Sequence, residues 1–430
     1  MNIKVSRSIF LAAILVYLFA GSYCESLLKN KVIVVVDSSS YQYTHSTFFN
    51  DLRSKGYDLD FRALNSATIK LMTYGEYNYD QMIVIASSHM DGKGLTKNKI
   101  AEFFDSGRNV FIATDIDSSK TIRLLYNEFG VDIDEYSSRV LDHFNKDSEQ
   151  DHSYIQSKNI INQEVFCPQL SKPILYRGAG LSMTPYETYQ VYGVLRGEDT
   201  TYSYSQERQE SVNSGSQVIL VSATQGRNNA RAVLTGSIEM LSNEFFKNEK
   251  YANRQFANSV VDWNFGLNGV LKVGKISYTR KGEKENSNEY RIKDFLDYSI
   301  EIFTYSLKKN SWVPYITDDI VLEFIMLDPY IRQTLTREGK TQVYKTSFQI
   351  PDKHGIFKLR VKYQKPGFTF IEESNKVTVR PFKHNEYPRY LEQAYPYYFS
   401  TWATLVGFLV LVVYFLFHQD KELTVNKKND

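Results

Sequence analysis

Lys31 to Asp37 reads KVIVVVD, and Thr44 to Phe61 reads THSTFFNDLRSKGYDLDF. The first run is a block of β-branched residues ending on a carboxylate. It fits a strand buried on both faces, because a strand with one wet face would alternate instead. In the second, Thr44 or Ser46 can cap a helix whose Phe48, Phe49 and Leu52 share one face; Gly56 ends it, and Tyr57 to Phe61 alternates as a second strand. The texture then returns: DQMIVIA at 80–86, a helix over 96–106, NVFIAT at 109–114 and a helix over 118–129. Strand and helix in alternation predict an open, mostly parallel α/β sheet.

Working outward, residues 131–216 are irregular and Tyr-rich with few clear periods. Val218–Thr224 and Ala230–Ser237 then read as a hairpin across a turn at Gly226–Asn229, and a helix ends near Trp263–Phe265. These complete the α/β domain, expected over 25–268. From Val270 the texture changes to short alternating runs, LKVGKISYTR, YSIEIFTYSL, DIVLEFIML, KTSFQI, GIFKLRVKYQ and KVTVRPF, bounded by Gly, Pro, Asn and Asp. That spacing predicts an antiparallel β-sandwich-like domain over 269–383, with the charged run Arg280–Glu289 as a solvated loop. Residues 384–396 are Tyr- and Pro-rich and read as a semi-rigid stalk.

Tyr397 to Phe417, YYFSTWATLVGFLVLVVYFLF, holds no charged residue. Its roughly 21 residues extend about 31 Å as a helix, enough to cross a hydrocarbon core of about 30 Å, with aromatics at both ends for the interfaces. Along it Ser400, Ala403, Thr404 and Gly407 recur at offsets of three, four and seven. They form a small-residue face on which another helix can pack closely, with two hydroxyls as candidate interhelical donors. The first 24 residues, with Lys4 and Arg7 ahead of an apolar stretch, have the plan of a cleaved signal peptide. Residues 418–430 form a lysine-bearing tail expected on the cytoplasmic side, giving a type I orientation. Lys427 and Lys428 stand fourth and third from the C-terminus, the placement of a dilysine retrieval signal.

A formal net charge of +2 gives no nucleic-acid footprint. The aromatic share of 14% favours strands and large contact surfaces over disorder. With two cysteines, Cys24 in the signal region and Cys167, the domains must stand on burial. The chain holds no N-x-Ser/Thr acceptor sequon.

An open α/β sheet directs the search for chemistry to the C-terminal ends of its strands. No G-x-G-x-x-G, P-loop or G-x-S-x-G pattern occurs there, and Lys93 in GKGL lacks phosphate-loop spacing. Asp115 and Asp117 in TDIDSS could be paired carboxylates or metal ligands, or could cap a helix. His143 and His152, each preceded by Asp, could be oriented for acid–base work or metal binding, but read better as polar loop histidines. His45 reads as a hydrogen-bonded residue at a strand–helix junction, Cys167 as a buried thiol, and Asp318 and Asp319 as turn residues. No catalytic, cofactor-binding or metal-ligating set emerges.

Several stretches together resemble a known family: THSTFFNDLRSKGYDLDF, KLMTYGEYNYDQMIVI, VLDHFN, KPILYRGAG, GRNNARAVLTGS, WVPYITDDIVLEFIMLDPYIR, PDKHGIFKLRVKY and VTVRPFKHNEYPRYLEQAYPYY. In order and wording they are similar to the DDOST, or wheat-germ-agglutinin-binding-protein, subunit family of oligosaccharyltransferase. That resemblance implies a luminal Rossmann-like α/β domain followed by β-rich structure, one membrane span and no cofactor. It implies a non-catalytic subunit of the endoplasmic-reticulum membrane complex that moves an oligosaccharide from dolichyl diphosphate to Asn of N-x-Ser/Thr. The partners implied are a separate polytopic catalytic subunit and the ribophorin II-like and DAD-like subunits. A luminal enzyme on the α/β domain, with His143, His152, Asp115 and Asp117 converging, and a stand-alone glycan-binding receptor are the alternatives.

Overall fold

The structure, a computed structural model, describes residues 31–419 except 91–93, 169, 185–188, 284, 308, 338, 340 and 388. The expected signal peptide, Cys24, Lys93, Lys427 and Lys428 lie outside the described residues. One sheet dominates the N-terminal half. Its strands are β1 (Lys31–Val36), β2 (Asp58–Ala63), β3 (Gln81–Ile85), β4 (Asn109–Ala113), β5 (Val131–Ile133), β6 (Leu181–Met183), β7 (Gln190–Arg196), β8 (Ile219–Gln225) and β9 (Arg231–Thr235). The order is β2-β1-β3-β4-β9-β8-β6-β5, with β7 also on β8. Only the run from β2 to β9 is parallel; β9–β8, β8–β6, β6–β5 and β8–β7 pair antiparallel. The sheet is therefore half parallel, because the chain closes it with hairpins once the crossover helices run out.

The fully apolar strand KVIVVV divides its residues between two cores. Val32, Val34 and Val36 meet Phe48, Phe49 and Leu52 of α1 (Ser46–Ser54), while Ile33 and Val35 belong to the opposite core. There they join Ile100, Phe103 and Phe104 of α2 (Lys97–Asp105) and Ile122, Leu125 and Tyr126 of α3 (Lys120–Glu128). Helices thus cover both faces, which is why the strand shows no alternation. Thr96 caps α2 by accepting the Lys99 N–H, 3.4 Å away. Neither Thr44 nor Ser46 caps α1: a short turn, Tyr41–Thr44, precedes it, and His45 takes the N-cap position without a side-chain cap. Residues 131–216 are more ordered than their sequence suggests. Besides β5, β6 and β7 they contain a three-stranded antiparallel sheet of Ser138–Leu141, Tyr202–Ser205 and Glu210–Ser214.

The C-terminal unit is two five-stranded sheets around one core. The first holds Leu271–Arg280, Phe295–Ser306, Ser311–Pro314, Thr336–Arg337 and Val343–Gln349; the second holds Glu289–Arg291, Val321–Ile325, Pro329–Thr334, Gly355–Tyr363 and Ile371–Arg380. Alternate residues point inward, among them Leu296, Tyr298, Ile300 and Ile302 from the first sheet and Phe357, Leu359, Val361 and Tyr363 from the second. One pairing departs from the antiparallel expectation: Glu289–Arg291 runs parallel to Thr378–Arg380.

The two units are joined through Arg231, the first residue of β9, which is 1% exposed and faces no carboxylate. Its guanidinium donates to the carbonyl oxygens of Trp263 (2.7 Å), Asn268 (2.6 Å) and Gly269 (2.8 Å) and lies 4.7 Å from the Trp263 ring centre. Trp263 sits at the C-terminal end of α4 (Asn253–Asn264), where a cation complements the helix dipole. Burial pulls the guanidinium down to about 9, which leaves it charged at neutral pH. The Trp263 indole N–H in turn donates to Gly367 of the β unit at 2.7 Å. Gly269 has φ +64, and a Cβ there would stand 2.2 Å from the Gly367 oxygen, so only glycine fits. Asn229 clamps Phe370 by accepting its N–H (2.7 Å) and donating to its oxygen (3.2 Å), and Phe368 packs against both cores.

Arg231→Met would keep the bulk and take a donor from three carbonyls; those of Trp263 and Gly269 keep the Gly266 and Thr369 N–H groups, and that of Asn268 loses its guanidinium partner. An unsatisfied buried acceptor costs about 1–3 kcal/mol. We expect the detergent-solubilised chain to lose about 1–3 kcal/mol in thermal or urea unfolding, with Arg231→Lys losing less. Unfolding indistinguishable from the parent would show that the junction does not depend on this group.

Candidate functional site

The topology puts the natural ligand crevice between β1 and β3. The connection after β1 goes to the α1 face and that after β3 to the α2 face, so the strand order reverses there. That crevice is closed by the chain itself. Asp37, just past β1, accepts the backbone N–H groups of Ser87 (2.9 Å) and Ser88 (3.2 Å), just past β3. The Ser87 hydroxyl accepts the Asp115 N–H at 3.1 Å, and Ser119 donates its N–H to the Ser87 oxygen at 2.9 Å. Asp115 turns back to accept the Ile116 N–H at 2.8 Å. Burial, aided by the charge of Asp117, raises its carboxyl above the usual range, while Asp117 itself points to solvent. Tyr41 is pushed up to about 12 by burial and by Asp37 and Asp115. Asp115 thus holds its own turn, and the two carboxylates do not act as a pair.

His45 is buried and donates from Nε2 to the Ile238 oxygen at 3.1 Å; a carbonyl only accepts, so Nδ1 accepts from the Thr44 hydroxyl at 2.9 Å. Burial lowers its pKa, which keeps the ring neutral. Cys167 is buried as expected, and burial pushes its thiol up. Asp319 accepts from Thr317 and, at 3.3 Å, from Tyr363.

His143 and His152 do come together, though neither uses the Asp beside it. Asp142 accepts the N–H groups of Phe144 (2.8 Å) and Asn145 (2.9 Å) and the hydroxyls of Thr200 and Thr201. Those bonds hold its carboxyl below the usual value against the opposing effect of burial. Asp151 accepts from Ser153. The two imidazoles meet edge to face with centroids 4.5 Å apart and Nδ1 against Nδ1. Lys146 stands 3.2 Å from His152 Nε2, and the Tyr202 hydroxyl 2.8 Å from His143 Nε2. An ammonium only donates, so the bonds run one way, from Lys146 through His152 and His143 to Tyr202. That chain ties the 142–152 loop to the three-stranded sheet. Neither Asp115 nor Asp117 takes part. Among the described residues no three His, Cys, Asp or Glu side chains are grouped to hold a metal.

The remaining candidate surface is the C-terminal helix. Glu386 roots its stalk on the β unit. Arg380 donates to both its oxygens (2.7 and 2.9 Å) and Lys383 donates its N–H at 2.9 Å, so Arg380 above all holds the carboxyl down at about 2. After a short 3-10 turn at Glu392–Ala394, α5 spans Tyr395–Phe417, with Pro396 in its first turn. It is long and apolar enough to cross a membrane, and none of its most apolar stretch is buried within the chain. On the small-residue face the hydroxyls are already committed. Ser400 donates to the Tyr397 oxygen (2.9 Å) and Thr404 to the Ser400 oxygen (2.8 Å), so the face offers shape and not the free donors expected of it. A Cβ on Gly407 would meet nothing within 4 Å.

Residues 23–267 match the family model described as OST48, N-terminal domain, and residues 278–419 match the OST48 middle domain. The chain belongs to the OST48 family. Relatives include the dolichyl-diphosphooligosaccharide–protein glycosyltransferase 48 kDa subunits of Arabidopsis thaliana, Danio rerio and Drosophila melanogaster. The Arabidopsis protein is 36% identical over 97% of this chain and 100% of its own length. The zebrafish protein is 33% identical over 91% and 92%, and the fly protein 32% identical over 97% and 98%. A solved structure titled as Agd3, a novel carbohydrate deacetylase, covers 48% of this chain and 29% of its own at 10% identity, with a TM-score of 0.30, too low to bear on function. The N-terminal match includes Arg231 and Trp263 and the middle-domain match includes the stalk; the role of Arg231 was missed by sequence reasoning. An arginine opening ARAVLTGS looks like a surface charge, and only the folded contacts show otherwise.

Proposed function

We propose that this OST48-family chain is a non-catalytic assembly subunit of the oligosaccharyltransferase of the endoplasmic-reticulum membrane. In this reading it is a single-pass type I protein with a Rossmann-like luminal domain. It assembles with a separate polytopic catalytic subunit and with ribophorin II-like and DAD-like subunits. The near-full-length match to 48 kDa subunits carries this proposal. The Asp37 plug adds to it, because the position where an α/β enzyme would hold its ligand is occupied by the chain's own hydrogen bonds. Lys427 and Lys428 serve as the retrieval signal, and Ser400, Ala403, Thr404 and Gly407 dock a partner helix by close backbone approach.

If the histidine chain is structural, His143→Ala with His152→Ala should leave oligosaccharide transfer by the purified complex within about twofold of the parent. A fall of several orders of magnitude in a complex of full composition would assign it catalysis. Among the described residues a Gly407 Cβ meets nothing within 4 Å beyond its own helix backbone, so leucine there is aimed at a neighbouring molecule. Gly407→Leu should lower partner recovery in mild detergent several-fold more than Val412→Leu does, with membrane integration unchanged in both; equal recovery would turn this face toward lipid. For the tail, replacing Lys427 and Lys428 by Ser should let the unassembled subunit leave the endoplasmic reticulum. Unchanged localisation of that unassembled form would reduce the pair to a solvated end.

A further inference from the structure

Where the stalk meets α5, the chain folds back on itself. Tyr390, Leu391 and Glu392 lie against the first two turns of the helix and, with Tyr395, Tyr398 and Trp402, wall a concavity of about 620 Å³. The Tyr390 and Tyr398 rings stand at 89° with centroids 6.1 Å apart, two walls of a corner. Glu392 is the one charged residue among the described lining residues, and Thr401, also in the lining, has its hydroxyl committed to the Tyr397 oxygen at 2.9 Å. Aromatic faces are electronegative, and a carboxylate beside them adds to that field, so the site suits a cation. Water-rich small ions gain little from rings, whereas an alkylated ammonium keeps its charge and gains contact with every methyl group.

The surroundings decide the source of that ammonium. A second concavity of about 510 Å³ continues down the helix from the shared Thr401, lined by Leu405 and Phe408 with Ser400 and Thr404 at its edge. An aromatic and acidic chamber at the interfacial end, followed by an apolar groove along the span, matches a molecule with a cationic head and a hydrocarbon tail. At 100° per residue, Tyr398, Thr401, Trp402 and Leu405 fall on the flank away from Ala403 and Gly407, so the headgroup chamber is clear of a docked helix, while the groove below it shares Ser400 and Thr404 with the small-residue face and an acyl chain there would border that helix. We infer that the OST48-family chain holds a bilayer phospholipid here, its choline headgroup between Tyr390, Tyr398 and Trp402 against Glu392 and one acyl chain along Leu405 and Phe408. The inference rests on reading α5 as a membrane anchor.

The test uses the full chain purified into mixed micelles holding equal amounts of phosphatidylcholine, phosphatidylglycerol and diacylglycerol, with bound lipid read by native mass spectrometry. Phosphatidylcholine should be retained several-fold over both others. Glu392→Gln and, separately, Trp402→Leu should each cut that retention at least fivefold. Resistance to carbonate extraction, measured in parallel, should not change, and loss of that resistance in the parent chain would instead sink the anchor reading. Equal retention of phosphatidylcholine and phosphatidylglycerol, or equal retention of diacylglycerol, would overturn the headgroup site. So would full retention by both variants. Protection of Glu392 from carbodiimide only when partner subunits are present, with no lipid retained, would assign the chamber to a protein cation.

Discussion

A guanidinium buried without a carboxylate is stable only where carbonyl dipoles replace its water, and Arg231 meets that constraint at the seam of the molecule. Three carbonyls converge on it: one from the end of α4 and two from the linker that leads into the β unit. Breaking such an arrangement leaves part of its polar groups unpaired, whereas keeping it fixes the linker's path. The Gly269–Gly367 approach, the Trp263 indole bond and the Asn229 clamp all depend on that path. The junction therefore sets how the β unit, and with it the stalk rooted by Arg380 and Glu386, stands on the α/β unit.

The same economy of polar groups explains the quiet α/β crest. Asp37 is spent on two backbone N–H groups, Asp115 on its own turn, and Asp142 on a loop and two threonines. Carboxylates bonded in this way hold loops in place, although Asp37 does so through Oδ2 alone and its buried Oδ1 has no hydrogen-bond partner among the described residues. In the proposed assembly role, a subunit that presents surfaces gains from that rigidity. The surface proposed to meet a partner lies elsewhere, along a helix whose own hydroxyls are internally bonded and whose Gly407 has open space beside it.

How much of this was legible depends on element length. KVIVVV, QMIVI and NVFIA are long enough to declare burial on two faces, and the hairpin at Val218–Ser237 and the spanning helix were equally plain. Strands of three or four residues, such as Val131–Ile133 and Ser138–Leu141, hold at most two periods of alternation, so their region read as irregular. The parallel Glu289–Arg291 strand was hidden at the end of a charged run. His143 and His152 lie nine apart on a loop, where no periodicity governs contact, and the Asp-His pairing suggested by adjacency gave way to the stronger demand of unpaired backbone N–H groups. The aromatic residues of the stalk were visible, but the turn that folds them onto α5 was not.

Hydrogen exchange at the seam tests the central claim, that Arg231 makes the two units one cooperative body. The observables are the Trp263 indole N–H and the Thr369 amide, which donates to Gly269 at 3.0 Å, compared with core amides of Leu234 and Phe357 in the intact detergent-solubilised chain. The account predicts that all four exchange through one opening, with protection equal within about tenfold. Exchange of the two seam protons orders of magnitude faster, with both cores still protected, would contradict it and leave the units as independent bodies on a flexible linker.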